Sequence, residues 1–263
     1  MLSPANRVVL LAGWNEQSRL MRTFSEGRNG IDGLAAYGFD CTIFEVSGDL
    51  TMRGQIDAFA AFLERLRARE PSAFPLATLG YSAGGLVSRG FLRAYPDRVD
   101  EIGATVQIGA PNGGLVTQYA LATLRIARVP IHVLGDLDSR SPFMAWLNGV
   151  SGAWVGDPDN PTKRRWRLAG PPWVMPPGHA YLHVVGRMPK YGLQSDGVVM
   201  IESATLDGAM RCVTIDDDAA NHLNLGAVSN ALATLTRRFR HDDEVWPRCV
   251  ELVARFLRSE PVR

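Results

Sequence analysis

Leu76-Ala77-Thr78-Leu79-Gly80-Tyr81-Ser82-Ala83-Gly84-Gly85-Leu86-Val87-Ser88-Arg89-Gly90-Phe91-Leu92 is the stretch on which the fold turns. Leu76 to Leu79 is a short apolar run of the kind that forms a strand buried on both faces of a parallel sheet. Gly85 to Leu92 supplies a helix that stops near Pro96. Between them Gly80-Tyr81-Ser82-Ala83-Gly84 fits G-x-S-x-G, in which a strained turn from strand to helix holds a serine hydroxyl above the sheet edge. The glycines have a steric task there, because a Cβ two residues either side of Ser82 would strike the neighbouring strand or helix. The plain alternative is a structural glycine turn.

Working outward, the same short apolar pattern recurs at Val8 to Ala12, Cys41 to Val46, Thr105 to Ile108, Tyr181 to Val185 and Arg211 to Ile215. Gln55 to Arg69, with Ile56, Phe59, Phe62, Leu63 and Leu66 at helical spacing, lies between the second and third strands and ends before Pro71. Strands alternating with helices predict an α/β fold: a doubly wound, mostly parallel sheet with helices on both faces, in one domain spanning 1–263.

The alternation stops after Pro111. From Leu115 to about Ala180 there are four of the six tryptophans (Trp146, Trp154, Trp166 and Trp173), two proline clusters and no clear rhythm. This stretch, 115–180, reads as an insertion forming a lid, or alternatively as a proline-stiffened surface excursion. Lys163-Arg164-Arg165-Trp166-Arg167 within it offers transient contact with a lipid interface or is simply a solvated charge run.

Composition limits the classes further. With 28 Lys+Arg against 27 Asp+Glu the net charge is +1, which sets up no field for nucleic acid, so no nucleic-acid partner is expected. No apolar run approaches the roughly 20 residues of a transmembrane helix, and no export signal is evident, so a cytoplasmic location is the expectation. Three widely spaced cysteines, Cys41, Cys212 and Cys249, read as buried thiols, not as a disulfide or zinc framework.

A serine at its ordinary pKa is a weak nucleophile and needs a histidine held by a carboxylate. Five histidines compete. His132 and His179 fall in the insertion, His241 in a basic run, and His183 inside a strand, where a core imidazole is expected. His222 remains as general base, or as an ordinary loop histidine, just past the strand ending at Ile215; loops leaving the carboxyl ends of strands are where doubly wound folds place reactive groups. Asp196, in Ser195-Asp196-Gly197-Val198-Val199, is the candidate acid. Asp216, Asp217 and Asp218 are the alternatives, read as a solvated run. The N–H groups of Ala83 and Trp14 are the candidate oxyanion donors, Trp14 otherwise belonging to a simple strand-ending turn.

These segments resemble the lipase branch of the α/β-hydrolase superfamily. Leu11-Ala12-Gly13-Trp14 is similar to its oxyanion segment, Gly80 to Gly85 to GHSxGG, and Gly109-Ala110-Pro111-Asn112-Gly113-Gly114 to GTPHxGS. Asp196 to Ala204 resembles DGVVPxESA around the family acid, and Asn221-His222-Leu223-Asn224 the NHLD loop around the family base. The order Ser82, Asp196, His222 is the family's order. The resemblance implies an esterase or lipase acting on a small-molecule or lipid acyl ester through an acyl-enzyme on Ser82, with no cofactor. A thioesterase or acyltransferase shares the same residues, and a noncatalytic binding protein using the tryptophan-rich insertion as a clamp is the reading from another class. Asn224 stands where the family has a calcium-ligating Asp, so no metal is assigned. Asn112 stands where the family has His.

Overall fold

The computed structural model of the chain describes residues 6–12, 18–28, 30–45, 49–115, 131–157, 160–191, 194–206, 208–220, 225 and 245–262. Each of the six apolar runs forms a strand: β1 (Arg7–Leu11), β4 (Asp40–Phe44), β5 (Leu76–Tyr81), β6 (Ile102–Ile108), β9 (Ala180–Arg187) and β10 (Val213–Asp216). They make one sheet in the order β10-β9-β6-β5-β1-β4, with every neighbouring pair parallel. The two-stranded β2 (Gly27–Arg28) and β3 (Ile31–Asp32) form a separate hairpin.

Side chains alternate across the sheet, as a two-residue period requires. Val9 and Leu11 face a core shared with α2 (Met52–Arg69) and α3 (Ala83–Ala94). Val8 and Leu10 face α1 (Ser18–Glu26) and a C-terminal helix at Val245–Leu257, where the Phe24 and Trp246 rings meet edge-on at 6.2 Å. The Thr51 hydroxyl caps α2 by accepting the Gly54 N–H at 3.2 Å. That helix buries Met52, Ile56, Phe59, Leu63 and Leu66 along one stripe, and Phe59 meets Phe44 at 5.3 Å and Phe91 at 5.5 Å. Of the three thiols, Cys249 is buried; Cys41 and Cys212 are half-buried.

The topology locates a crevice. The chain runs from β1 out to β4, returns to the other side of β1 as β5, and continues in that direction through β6, β9 and β10. Strand order therefore reverses between β1 and β5, and the carboxyl ends at such a reversal are where open α/β sheets bind ligands. Ser82 follows β5 directly.

The stretch after Leu115, which shows no rhythm in sequence, does carry regular structure: α4 (Ile131–Leu137), α5 (Pro142–Asn148) and a hairpin of β7 (Gly152–Asp157) with β8 (Asn160–Leu168). The Ser141 hydroxyl caps α5 at the Met144 N–H, and Gly149 ends it at φ +71°. Two-turn helices are too short for a 3.6-residue pattern to repeat. After β9 come α6 (Ile201–Ala204), β10 and the C-terminal helix, α7 (Val245–Leu257). Among the described residues no helix is long and apolar enough to cross a membrane.

Candidate active site

Ser82 sits at φ 53°, ψ −125°, a conformation that costs a non-glycine residue about 1–3 kcal/mol and persists only when the surroundings impose it. They do so from three sides. The Ser82 N–H donates to the Ile108 carbonyl of β6 at 2.8 Å, while the Ser82 carbonyl accepts the Gly85 N–H at 3.1 Å. A Cβ on Gly80 would stand 2.4 Å from the Gly85 nitrogen, and one on Gly84 would stand 2.2 Å from the Leu11 carbonyl oxygen at the end of β1. The two motif glycines thus let α3 start against β5 and β1 with the serine between them. Ala83 opens α3, so its N–H is one of those a helix leaves without an intrahelical acceptor. Gly84→Ala should destabilise the fold by about 3 kcal/mol or more, because backbone and not a movable side chain blocks the added methyl. A stability from urea unfolding within about 0.5 kcal/mol of the parent would contradict this packing.

Asp196 lies in the loop after β9, only 1% exposed. Its Oδ1 accepts the Val198 N–H at 3.0 Å and the Val199 N–H at 2.7 Å, so the loop's own backbone orients the carboxylate. The Tyr81 phenol, one residue before Ser82, is pushed well above its usual pKa, first by burial and second by the Asp196 charge. The Asp196 carboxylate thus lies within electrostatic reach of the residue that precedes Ser82. The three consecutive acids are occupied elsewhere: Asp216 pairs with Arg187, Asp217 with Arg248 at 3.0 Å, and Asp218 accepts the Lys190 N–H at 2.7 Å.

His222 and Trp14 lie outside the described residues, as do Asn224 and His241. The chain is described up to Ala220, whose carbonyl oxygen would stand 1.9 Å from a Cβ on Gly186. Ala220 thus packs closely against the carboxyl half of β9. The other histidines have different positions. His132 is exposed at the start of α4, His179 meets the Thr105 hydroxyl at 2.9 Å before β9 begins, and His183 is wholly buried.

No protein-family model and no curated protein matches the sequence. Solved structures do match the fold. The mature lipase BlEst2 of Bacillus licheniformis superposes with a TM-score of 0.57 at 17% identity, over 90% of this chain and 94% of that one. The metagenomic carboxyl esterase MGS0156 gives 0.60 at 13% identity, over 98% and 77%. A Rhizomucor miehei esterase gives 0.50 at 11%, over 96% and 74%. This chain has the α/β-hydrolase fold.

Beneath the elbow of this hydrolase fold lies a buried polar network. Gln107 on β6 donates to the Gly85 carbonyl at 2.6 Å and to Asn112 Oδ1 at 3.3 Å, and its Oε1 accepts from Asn112 Nδ2 at 2.8 Å and from the Tyr181 hydroxyl at 2.7 Å. Asn112, at the position where the resembled segment has His, also donates to the Ala204 carbonyl at 3.0 Å. An amide is a donor and an acceptor at once, so it closes the network without an imidazole. His183 contributes its Nε2, which accepts the Ala110 N–H at 3.1 Å. The ring proton must then sit on Nδ1, with the Ala204 carbonyl as its acceptor.

Burial pushes His183 down to about 3 and His179 down to about 4, from an ordinary 6.5. The sign follows directly. Below about pH 6.5 the unfolded chain binds a proton at each ring and the folded chain does not, so stability falls as pH falls. Between pH 7 and pH 5, above the range where ordinary carboxylates titrate, the two rings should cost about 3 kcal/mol together. His179→Gln, which keeps a partner for Thr105, should remove about half of the loss. A urea midpoint independent of pH across this interval would contradict the assignment of two neutral buried imidazoles.

The motif reading missed Arg89, Gln107, Asn148 and Tyr181, all joined to this network. A signal existed: Arg89 and Gln107 interrupt otherwise apolar runs in α3 and β6. A polar side chain on a face that must be buried needs partners, which usually come from elsewhere in the chain.

Proposed function

We propose that the chain is a serine hydrolase of carboxylic esters. The observation that carries this is Ser82 at φ 53° in a strand-to-helix turn, at the point where the strand order of the sheet reverses. Strain held there by packing is a recognised feature of catalytic turns. In this reading Ser82 Oγ attacks the ester carbonyl carbon while His222 takes its proton, with Asp196 fixing the imidazole tautomer. The N–H groups of Ala83 and Trp14 receive the negative charge that develops on the carbonyl oxygen. The C–O bond to the alcohol breaks as His222 returns the proton to the leaving oxygen. Water, deprotonated by the same ring, then attacks the acyl-serine and releases the acid.

The substrate is a small-molecule or lipid acyl ester. Support comes from the lipase and esterases that share the fold at low identity; in this reading the insertion 115–180, which follows the carboxyl end of β6, is the cap over the acyl site. A panel of p-nitrophenyl esters of increasing acyl length, run beside acyl-thioesters, tests this. Ester turnover above thioester turnover is expected. Preference for the thioesters would move the assignment to the thioesterase reading, and no turnover of either would reject hydrolysis.

A further inference from the structure

Arg89 lies on α3 seven residues after Ser82, roughly 10 Å along the helix axis, and is wholly buried. Among the described residues no carboxylate pairs with it. Its Nε finds no hydrogen-bond partner among the described residues either, and burial pushes the guanidinium down to about 9. Burying an unpaired cation is costly, and an apolar side chain would fill the space more cheaply. What the guanidinium does is join three segments that are distant in sequence. Nη1 donates to the Asn112 carbonyl at 3.3 Å and to Asn148 Oδ1 at 2.8 Å, and Nη2 donates to the Trp173 carbonyl. The first acceptor follows β6. The other two belong to the insertion, at the end of α5 and in the segment after the hairpin.

Stacking continues the same junction outward. Arg53 lies 3.8 Å from the centre of a Trp146 ring, Arg93 5.7 Å from Trp146 and 5.4 Å from Trp173, and Arg89 5.4 Å from Trp173. Arginines from α2 and α3 thus alternate with tryptophans from the insertion. Trp166 is also turned inward, since a Cβ on Gly113 would stand 2.4 Å from its ring. Three of the insertion's four tryptophans are fasteners to the sheet-and-helix body. The Arg89 acceptor Asn112 in turn holds Gln107, which holds the Gly85 carbonyl in the first turn of α3.

We propose that Arg89 is a positioning residue that locks the insertion in one register against the nucleophile-bearing helix, so that 142–148 and 166–173 are a fixed wall of the acyl site. This rests on the reading of Ser82 as nucleophile. A planar five-donor fork holds acceptors from two separate nitrogens in fixed directions, whereas a lysine has one rotatable ammonium nitrogen and an apolar side chain has no donor. In Arg89→Met, KM for long acyl p-nitrophenyl esters should rise about tenfold or more while kcat stays within about threefold, and short acyl esters should be nearly unaffected. Amide hydrogen exchange in 142–148 and 166–175 should accelerate at least tenfold, with α3 protected as in the parent. Asn148→Ala removes one acceptor from the insertion side, leaves Arg89 in place, and should give the same pattern in smaller measure; it decides the matter if Arg89→Met fails to fold. The proposal is overturned if exchange in the insertion is unchanged, or if all esters lose kcat equally. If no ester is turned over by the parent chain, the hydrolase reading fails, and exchange alone still decides whether Arg89 is the lock.

Discussion

Ser82→Ala should abolish ester turnover, lowering kcat by roughly 10⁴- to 10⁶-fold, the scale seen when a triad serine is removed. The fold should survive. The Ser82 backbone bonds to Ile108 and Gly85 do not involve the hydroxyl, and the flanking glycines are untouched. Alanine must still adopt φ 53° there, so thermal unfolding should move by only a few degrees. Steady-state hydrolysis of a p-nitrophenyl ester beside a melting curve separates the two effects. Retention of more than a tenth of the parent rate with an intact fold would reject Ser82 as nucleophile.

The second large effect is expected at Asp196. Two backbone N–H groups, from Val198 and Val199, need an acceptor at its Oδ1. In Asp196→Asn the amide oxygen must meet them, which turns the NH₂ group to the other side, where an imidazole Nδ1–H would seek an acceptor. Two donors then face each other and the ring is driven to the wrong tautomer. In serine proteases that change costs about 10⁴ in kcat, and a similar loss is expected here with stability nearly unchanged. Asn at 216, 217 or 218 should lower turnover less than about threefold, because those acids are held by Arg187, Arg248 and the Lys190 N–H. A loss of 10³ or more at one of the three, with Asp196→Asn near parent activity, would reassign the acid and leave the serine chemistry standing.

The sheet was legible because its inner strands, buried on both faces, must be apolar throughout, and the edge strands β4 and β10 keep enough of that pattern to be read. Their spatial order was less so, since nothing local in Asp40–Phe44 marks it as an edge strand beside β1. The elbow was legible down to the work of Gly80 and Gly84, because steric demand is written in single residues. The insertion was not: α4 and α5 have two turns each, and the polar run Thr162 to Arg165 hides the strand β8. Ser141-Pro142 and Gly149 were a readable start and stop for α5 even so. Asp196 was legible as the candidate acid in a D-G turn, but its burial was not. The long-range junction at Arg89 depends on acceptors 23, 59 and 84 residues away, and no sequence pattern at that range announces itself.

The central claim is that Ser82 is an activated nucleophile, and covalent labelling of the full chain by a fluorophosphonate probe addresses it without knowledge of the substrate. One adduct per chain is expected by intact mass, mapped by peptide sequencing to Ser82, absent in Ser82→Ala and strongly slowed in Asp196→Asn. No adduct on the folded chain, or an adduct on another serine that persists in Ser82→Ala, would contradict it.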